Sequence, residues 1–341
     1  MRRIELLAAI VLIAAPAAAQ NDAASGAWTP PRMPDGRPDL QGFWTTQTFT
    51  PLQRPEQFAG REFLTEEEMA ALTEALTADG VDPLRSRAFT DLLSDDPDRR
   101  DTATAQADPT HYNNEQWLRT DVPKGLSSRR TSLIVDPPDG RIPPPSDLAQ
   151  DRAAARRAAS GYDGYQSRPA QERCLVWTHE GPPMMPPPYN DLYLIMQAPG
   201  VVVLFPEMAN NLPRIVPTDG RAHVSDRIRQ WPGHSVGRWD GDTLVVDTTN
   251  FSSKTAFQGA SERLHVVERF TRVDEDTILY EFTVADPATW DRSWTAELPM
   301  LRSEGPLFEY TCHEGNYGME NTLRGARRTD RMAADQEAGA R

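Results

Sequence analysis

The sequence predicts a mainly β protein: an antiparallel up-and-down barrel behind a long, irregular N-terminal wrap with two short helices. Three observations predict it. From 200 to 314 one β-prone segment follows another, and those at 264–273, 277–285 and 306–313 sort their side chains between two faces by alternation. Asp240-Gly241 separates two of these segments, the dipeptide that favours a tight hairpin turn. The 30 prolines concentrate outside this half of the chain. A meander this long closes on itself or stacks, because an open sheet leaves two unpaired edges.

The elements follow in order. Residues 1–19 read as a secretory leader: Arg2 and Arg3, an apolar run, then Ala17-Ala18-Ala19. The mature chain is expected to begin near Gln20, in a periplasm or outside the cell. A first strand is predicted over 43–49. Thr65 and Glu68 form a capping box that opens a helix to about 78. Residues 81–125 are charged and aperiodic and read as loop. Asp139-Gly140 predicts a short hairpin over 133–142. Ser146 caps a second helix over 147–159, which Gly161 ends. The run 181–188, rich in proline, reads as a rigid connection into the barrel. Strands are then expected at 192–197, 200–205, 212–217, 235–239, 243–249, 264–273, 277–285, 293–302 and 306–313. The organisation is therefore leader 1–19, strand and wrap 20–165, barrel 166–328, and a disordered tail 329–341.

Composition excludes some partners. The chain has 36 Lys+Arg against 50 Asp+Glu, a net charge of −14. Losing Arg2, Arg3 and Glu5 with the leader takes it to −15. Such a surface repels nucleic-acid phosphates and anionic lipid headgroups. No apolar run after the leader is long enough to span a bilayer. Cys174 and Cys312 are the two cysteines; in an oxidising compartment they are expected to form one disulfide.

Several stretches resemble a family of secreted bacterial proteins: 129–145, Arg173-Cys174, 228–231, 238–250, 267–272, Asp286-Pro287-Ala288-Thr289-Trp290 and 309–317. The resemblance runs over most of the mature chain and implies a shared architecture; it brings no reaction with it. Gly42-x-Trp44 ahead of an up-and-down meander is also similar to the opening strand of lipocalin-like (calycin) barrels, from which the long insertion after that strand departs.

Strand alternation sorts the candidate site residues. His265 and Arg269 share one face of their strand, with Glu268 pointing away. Glu281 falls on the matching face of the next strand, and Glu309 and His313 share a face of the last. His265, Arg269, Glu281, Glu309 and His313 could thus form one polar set, able to move a proton and hold a developing anion. The plainer reading is an outer face laced with ion pairs. Trp290, Trp294, Tyr310 and Trp239 are the aromatic ligand-binding candidates.

No metal site is expected: the six histidines make neither His-x-His nor His-Glu-x-x-His. No cofactor is expected either, because neither a Gly-rich phosphate loop nor Gly-x-Gly-x-x-Gly occurs. Two functions remain open. One is capture of a small organic ligand, sugar-like or ring-containing, in a barrel pocket; the other is a cofactor-free acid/base enzyme working in the same pocket.

Overall fold

A computed structural model describes residues 28–77, 126–177, 180–187, 190–208, 213–254 and 257–339. The expected leader and the loop 81–125 lie outside these residues. Ten strands form one sheet: β1 (Gly42–Thr45), β2 (Ile134–Asp136), β3 (Leu192–Ala198), β4 (Val201–Pro206), β5 (Arg214–Pro217), β6 (His234–Asp240), β7 (Thr243–Thr249), β8 (His265–Arg272), β9 (Thr277–Ala285) and β10 (Trp294–Ser303). The strand order is β5-β4-β3-β1-β10-β9-β8-β7-β6, every pairing is antiparallel, and β2 pairs off this path with β10. Apart from β2, each strand therefore neighbours the next in sequence, and β1 returns to the last. This is a nine-stranded, nearly closed up-and-down barrel.

Parity explains why closure stops at one seam. Nine alternating strands leave the two edge strands, β5 and β6, running the same way. They lie against each other without ladder pairing. A parallel pair also needs a crossover connection, which is the long segment 218–233. At the seam β6 carries Gly237; a Cβ there would meet Thr218 Cγ2 and Val216 Cγ1 at 2.9 Å. Glycine lets the two strands approach where hydrogen bonds do not hold them.

Side-chain alternation fills the lumen. Register sets Leu244, Phe270, Tyr280 and Leu298 in one layer and Val246, Glu268, Phe282 and Ala296 in the next. All eight are fully buried. Each large apolar side chain so removed from water contributes about 1.5–3 kcal/mol before chain entropy is subtracted. The interior is a packed core, and a ligand must sit outside it.

Among the described residues three α-helices flank the barrel: α1 (Glu66–Thr77), α2 (Asp147–Ala159) and α3 (Gly318–Gly339). The capping box on α1 is reciprocal, Thr65 N donating to Glu68 Oε2 at 2.8 Å and Glu68 N to Thr65 Oγ1 at 3.1 Å. Ser146 Oγ accepts from Ala149 N at the start of α2. The wrap packs on the barrel through β2; Leu133 just before it and Ile134 at its start donate to Pro51 O and Leu52 O.

Four expectations are corrected. Residues 306–313 form no strand, because β1 already pairs the free edge of β10. Residues 133–142 form no hairpin: the turn at Gly140 is present, but β2 pairs with β10 instead of with the chain beyond the turn. The tail from 329 is helical to Gly339 as part of α3, a third helix. Finally, β1 and β2 belong to the barrel sheet, so the boundary near 165 does not separate wrap from barrel.

Candidate functional site

Residues 147–177 and 180–187 cover one end of the barrel, the end where β7 and β9 finish and β8 and β10 begin. Beneath it Trp290 and Trp294 meet edge to face at 6.0 Å, and Trp294 contacts Phe257 and Phe282. Both tryptophans are buried. These two ligand candidates are thus the plug of the barrel end. Asp286 holds the plug, accepting from Ser261 N at 2.5 Å, Thr289 Oγ1 at 2.6 Å and Ala288 N at 3.0 Å.

The proline-rich run enters the same end. Met184 N donates to Tyr280 Oη at 2.8 Å, and Tyr280 Oη donates to Glu268 Oε1 at 2.7 Å. Glu268 takes a two-pronged ion pair from Arg214, Nη1 to Oε1 at 3.0 Å and Nη2 to Oε2. Ser235 Oγ, bonded to Thr248 Oγ1 at 2.8 Å, lies 3.4 Å from Arg214 Nη2. The carboxylate is fully buried and the guanidinium nearly so. Burial, and then the Glu268 charge, push the Tyr280 phenol well above its ordinary range, so it stays a donor.

Outside this buried network lies a cleft of about 900 Å³. Its wall comes from the end of α2, the segment 165–177, Gly181-Pro182, the crossover end Trp231-Pro232, and the turn after β7 with Phe251 and Lys254. Four cations line it, Arg156, Arg168, Arg173 and Lys254, and none of its described lining residues is a carboxylate. Arg168 is neutralised by Glu172 through two bonds of 2.8 and 2.7 Å. Arg156, Arg173 and Lys254 form no ion pair among the described residues. Arg156 donates only to the carbonyls of Ser253 and Ala260; burial and then Arg152 lower its pKa. Arg173 lies 5.5 Å over the Tyr165 ring. Trp177, Trp231, Tyr165 and Phe257 supply aromatic surface. Three uncompensated cations among aromatic rings, on a chain of net −14, form a local field that attracts an anion with ring character.

The predicted polar set is divided by the fold. His265, Arg269 and Glu281 do share a face, and it is the outer one. Arg269 pairs with Asp240 at 3.3 Å and stands opposite Glu281. Burial raises the Glu281 pKa, with Arg269 lowering and Glu297 raising it further. Glu309 and His313 are exposed in the irregular segment near Cys312, because the strand that would align them does not form. Tyr310 packs edge to face on Trp177 at 6.0 Å, directly behind the cleft wall. Trp239 lies at the opposite barrel end, with Arg37 5.9 Å from its ring centre. Cys174 and Cys312 are bonded, with Cα atoms 5.6 Å apart.

His265 belongs to a different cluster. Asp247 on β7 bridges two imidazoles, His223 Nε2 at 2.9 Å and His265 Nε2 at 3.0 Å, and His223 Nδ1 faces His234 Nδ1 at 3.0 Å. An ionised carboxylate only accepts, so both Nε2 atoms carry hydrogen. Burial alone would raise the Asp247 pKa, but the hydrogen bonds and charges of His265 and His223 outweigh it and hold the carboxyl low. The Asp247 hydrogen bond outweighs burial at His265 and raises its pKa. Burial, then His223 and Arg221, lower that of His234. The stabilisation from raised His265 is complete below about pH 6.5 and is lost as pH rises through its folded value. That from lowered Asp247 is complete above about pH 3.9 and is lost as pH falls through its folded value. Asp247→Asn should therefore cost most near pH 5.5 and less at pH 8.5. For these half-exposed groups the difference is about 0.5–1 kcal/mol. Thermal melts at the two pH values check this; an equal loss at both contradicts it.

No group of three or more His, Cys, Asp or Glu among the described residues is placed to hold a metal ion. No helix among them is long and apolar enough to cross a membrane. Comparison with known protein families, characterised proteins and solved structures finds no match to this chain.

Proposed function

We propose that this is an exported protein that binds a small, ring-containing organic anion in the cleft at the barrel end. The observation that carries the reading is the charge of the wall: uncompensated Arg156, Arg173 and Lys254 beside Trp177 and Trp231, with no lining carboxylate, on a strongly acidic protein. Export is supported by the leader-like residues 1–19 and by the Cys174–Cys312 bridge. The packed lumen argues for binding at the mouth, where concavity, apolar surface and a few polar groups coincide.

A second reading, a cofactor-free acid/base reaction, draws support from the Asp247 bridge between His223 and His265. It would use a half-exposed surface cluster on the barrel wall instead of the predicted His/Glu/Arg set.

One experiment addresses both. The mature protein is heated with matched pairs, benzoate against benzamide and phenylacetate against phenylacetamide, and each ligand is recovered for mass spectrometry. The anions are expected to raise the melting temperature by mass action and to return unchanged. Equal shifts from the neutral partners would remove the basis for an anion site. A recovered ligand of altered mass would move the assignment to the enzyme.

A further inference from the structure

Behind the cleft lies a smaller chamber of about 30 Å³, room for one or two heavy atoms. It shares Gly181, Trp231 and Pro232 with the cleft wall, and its inner side is made by Glu180 and Arg214. Two features of this chamber are unexplained by the fold. Glu180 is 5 % exposed, and its Oε1 is buried without a hydrogen-bond partner among the described residues. Arg214 spends both terminal nitrogens on Glu268 and Ser235, while its Nε–H is buried without a partner among them. Native proteins leave few such groups unsatisfied, because each costs about 1–3 kcal/mol. Both residues line one cavity that adjoins a ligand-sized cleft, and two orphaned groups there point to a polar ligand.

We propose that the chamber is the recognition end of the cleft and takes a carboxylate or carbonyl oxygen of the bound anion, hydrogen-bonded by the Glu180 carboxyl and the Arg214 Nε–H. This rests on the anion-binding reading above and names the chemistry of the ligand's tip. The cations of the outer wall draw the anion in, and the chamber orients it.

The protonation of Glu180 suits the role. Burial raises its pKa to about 9, against a smaller lowering by the Trp177 backbone. Tyr193 on β3 lies within reach of its charge, and Arg214 on β5 lines the same chamber. Arg214 is already neutralised by Glu268, so it does not hold Glu180 ionised. A neutral carboxyl donates an O–H to a ligand oxygen, and donation to a charged oxygen is the stronger kind of hydrogen bond. Gly181 keeps the chamber open: its φ is +97°, and a Cβ there would meet Met184 Cγ at 2.9 Å and Arg214 Nη1 at 3.2 Å.

The test is titration of benzoate into the wild type, Glu180→Gln and Glu180→Leu between pH 6 and pH 10, with the melt of each variant measured alone. Leucine removes the donor and should weaken benzoate at least about tenfold; it also takes away the acceptor of the Trp177 backbone N–H, a cost that the melt of the variant alone reports. Glutamine keeps a donor that does not titrate. It should bind within about threefold of wild type and lack the decline that wild type shows above pH about 9. Wild-type affinity in Glu180→Leu overturns the chamber assignment. If Glu180→Leu does not fold, an unchanged high-pH decline in Glu180→Gln overturns it instead. Arg173→Glu with Lys254→Glu separates the two claims: if that pair abolishes binding while Glu180→Leu does not, the cleft stands without the chamber.

Discussion

Glu268→Gln is expected to destabilise the fold by about 3–5 kcal/mol, since breaking a buried ion pair strands its partner. The reason lies in the lumen. Glu268 is fully buried in a layer with Val246, Phe282 and Ala296, and Arg214 is 5 % exposed in its side chain. The amide cannot neutralise the guanidinium, and the donor from Tyr280 loses a charged acceptor. The pair Arg214→Met with Glu268→Leu should cost less than the single change, because no uncompensated charge remains. Denaturant titration with a check on the slope distinguishes these outcomes. A cost of under about 1 kcal/mol for the single change, the size of a surface ion pair, would mean that the network is solvated.

The second large effect concerns the disulfide. Cys174 and Cys312 are 138 residues apart, and the chain-entropy account gives about 5 kcal/mol for a loop of that size, an upper value. The consequence is expected to be local as well as global. Helix α3 has no buried residue. Besides the bridge, its anchors are Arg327, which donates to the carbonyls of Tyr162 and Asp163, and Asn316, which contacts Cys174 Sγ at 3.3 Å. Cys174→Ala with Cys312→Ala should therefore lower the melt, expose 304–339 to protease and raise amide exchange there first, while β7 to β10 stay protected. Because Cys174 directly follows Arg173 and precedes Val176 in the cleft wall, affinity for the cleft's ligand should fall too. Uniform exchange in both proteins would show that the bridge does not anchor this segment.

Much of the barrel was legible because alternation is a local signal. The segments 243–249 and 277–285 reproduce β7 and β9 residue for residue, and Asp240-Gly241 forms the β6–β7 turn. The error at 306–313 has a definite cause. Its alternation resembles a strand, but the edge of β10 it would need is occupied by β1, nearly 260 residues earlier in the chain. Sequence pattern carries no record of which edge is already taken. Helix α3 was missed for another reason: its residues are mostly polar and none is buried, so the segment reads as a solvated tail.

The site was legible only in fragments. The polar face of β8 was read correctly as one face, and the fold turns it outward. Glu268 offered the better clue, a lone acid between Val266 and Phe270 on the apolar side of its strand, which requires a buried partner. The partner, Arg214, lies 54 residues away across the open seam, and only the closure of the barrel brings them together. The cleft cations come from separate segments, α2, the 165–177 stretch and the β7 turn. None has a motif, and their common sign matters only once they share a wall. Trp290 and Trp294 illustrate the converse: aromatic residues beside a charged pair look like a platform in sequence and pack as a plug in the fold.

The measurement that tests the central claim most directly is calorimetric titration of benzoate into the wild type and into Arg173→Glu with Lys254→Glu, at low and at moderate salt. Neither side chain is buried or ion-paired among the described residues, so the fold should be retained, as a melt would verify. The account predicts saturable binding to the wild type that weakens with salt and at least about a tenfold loss in the charge-reversed protein, the scale of losing close charge contacts. Equal affinity in both proteins, or binding that is indifferent to salt, would contradict the assignment of the basic cleft as an anion site.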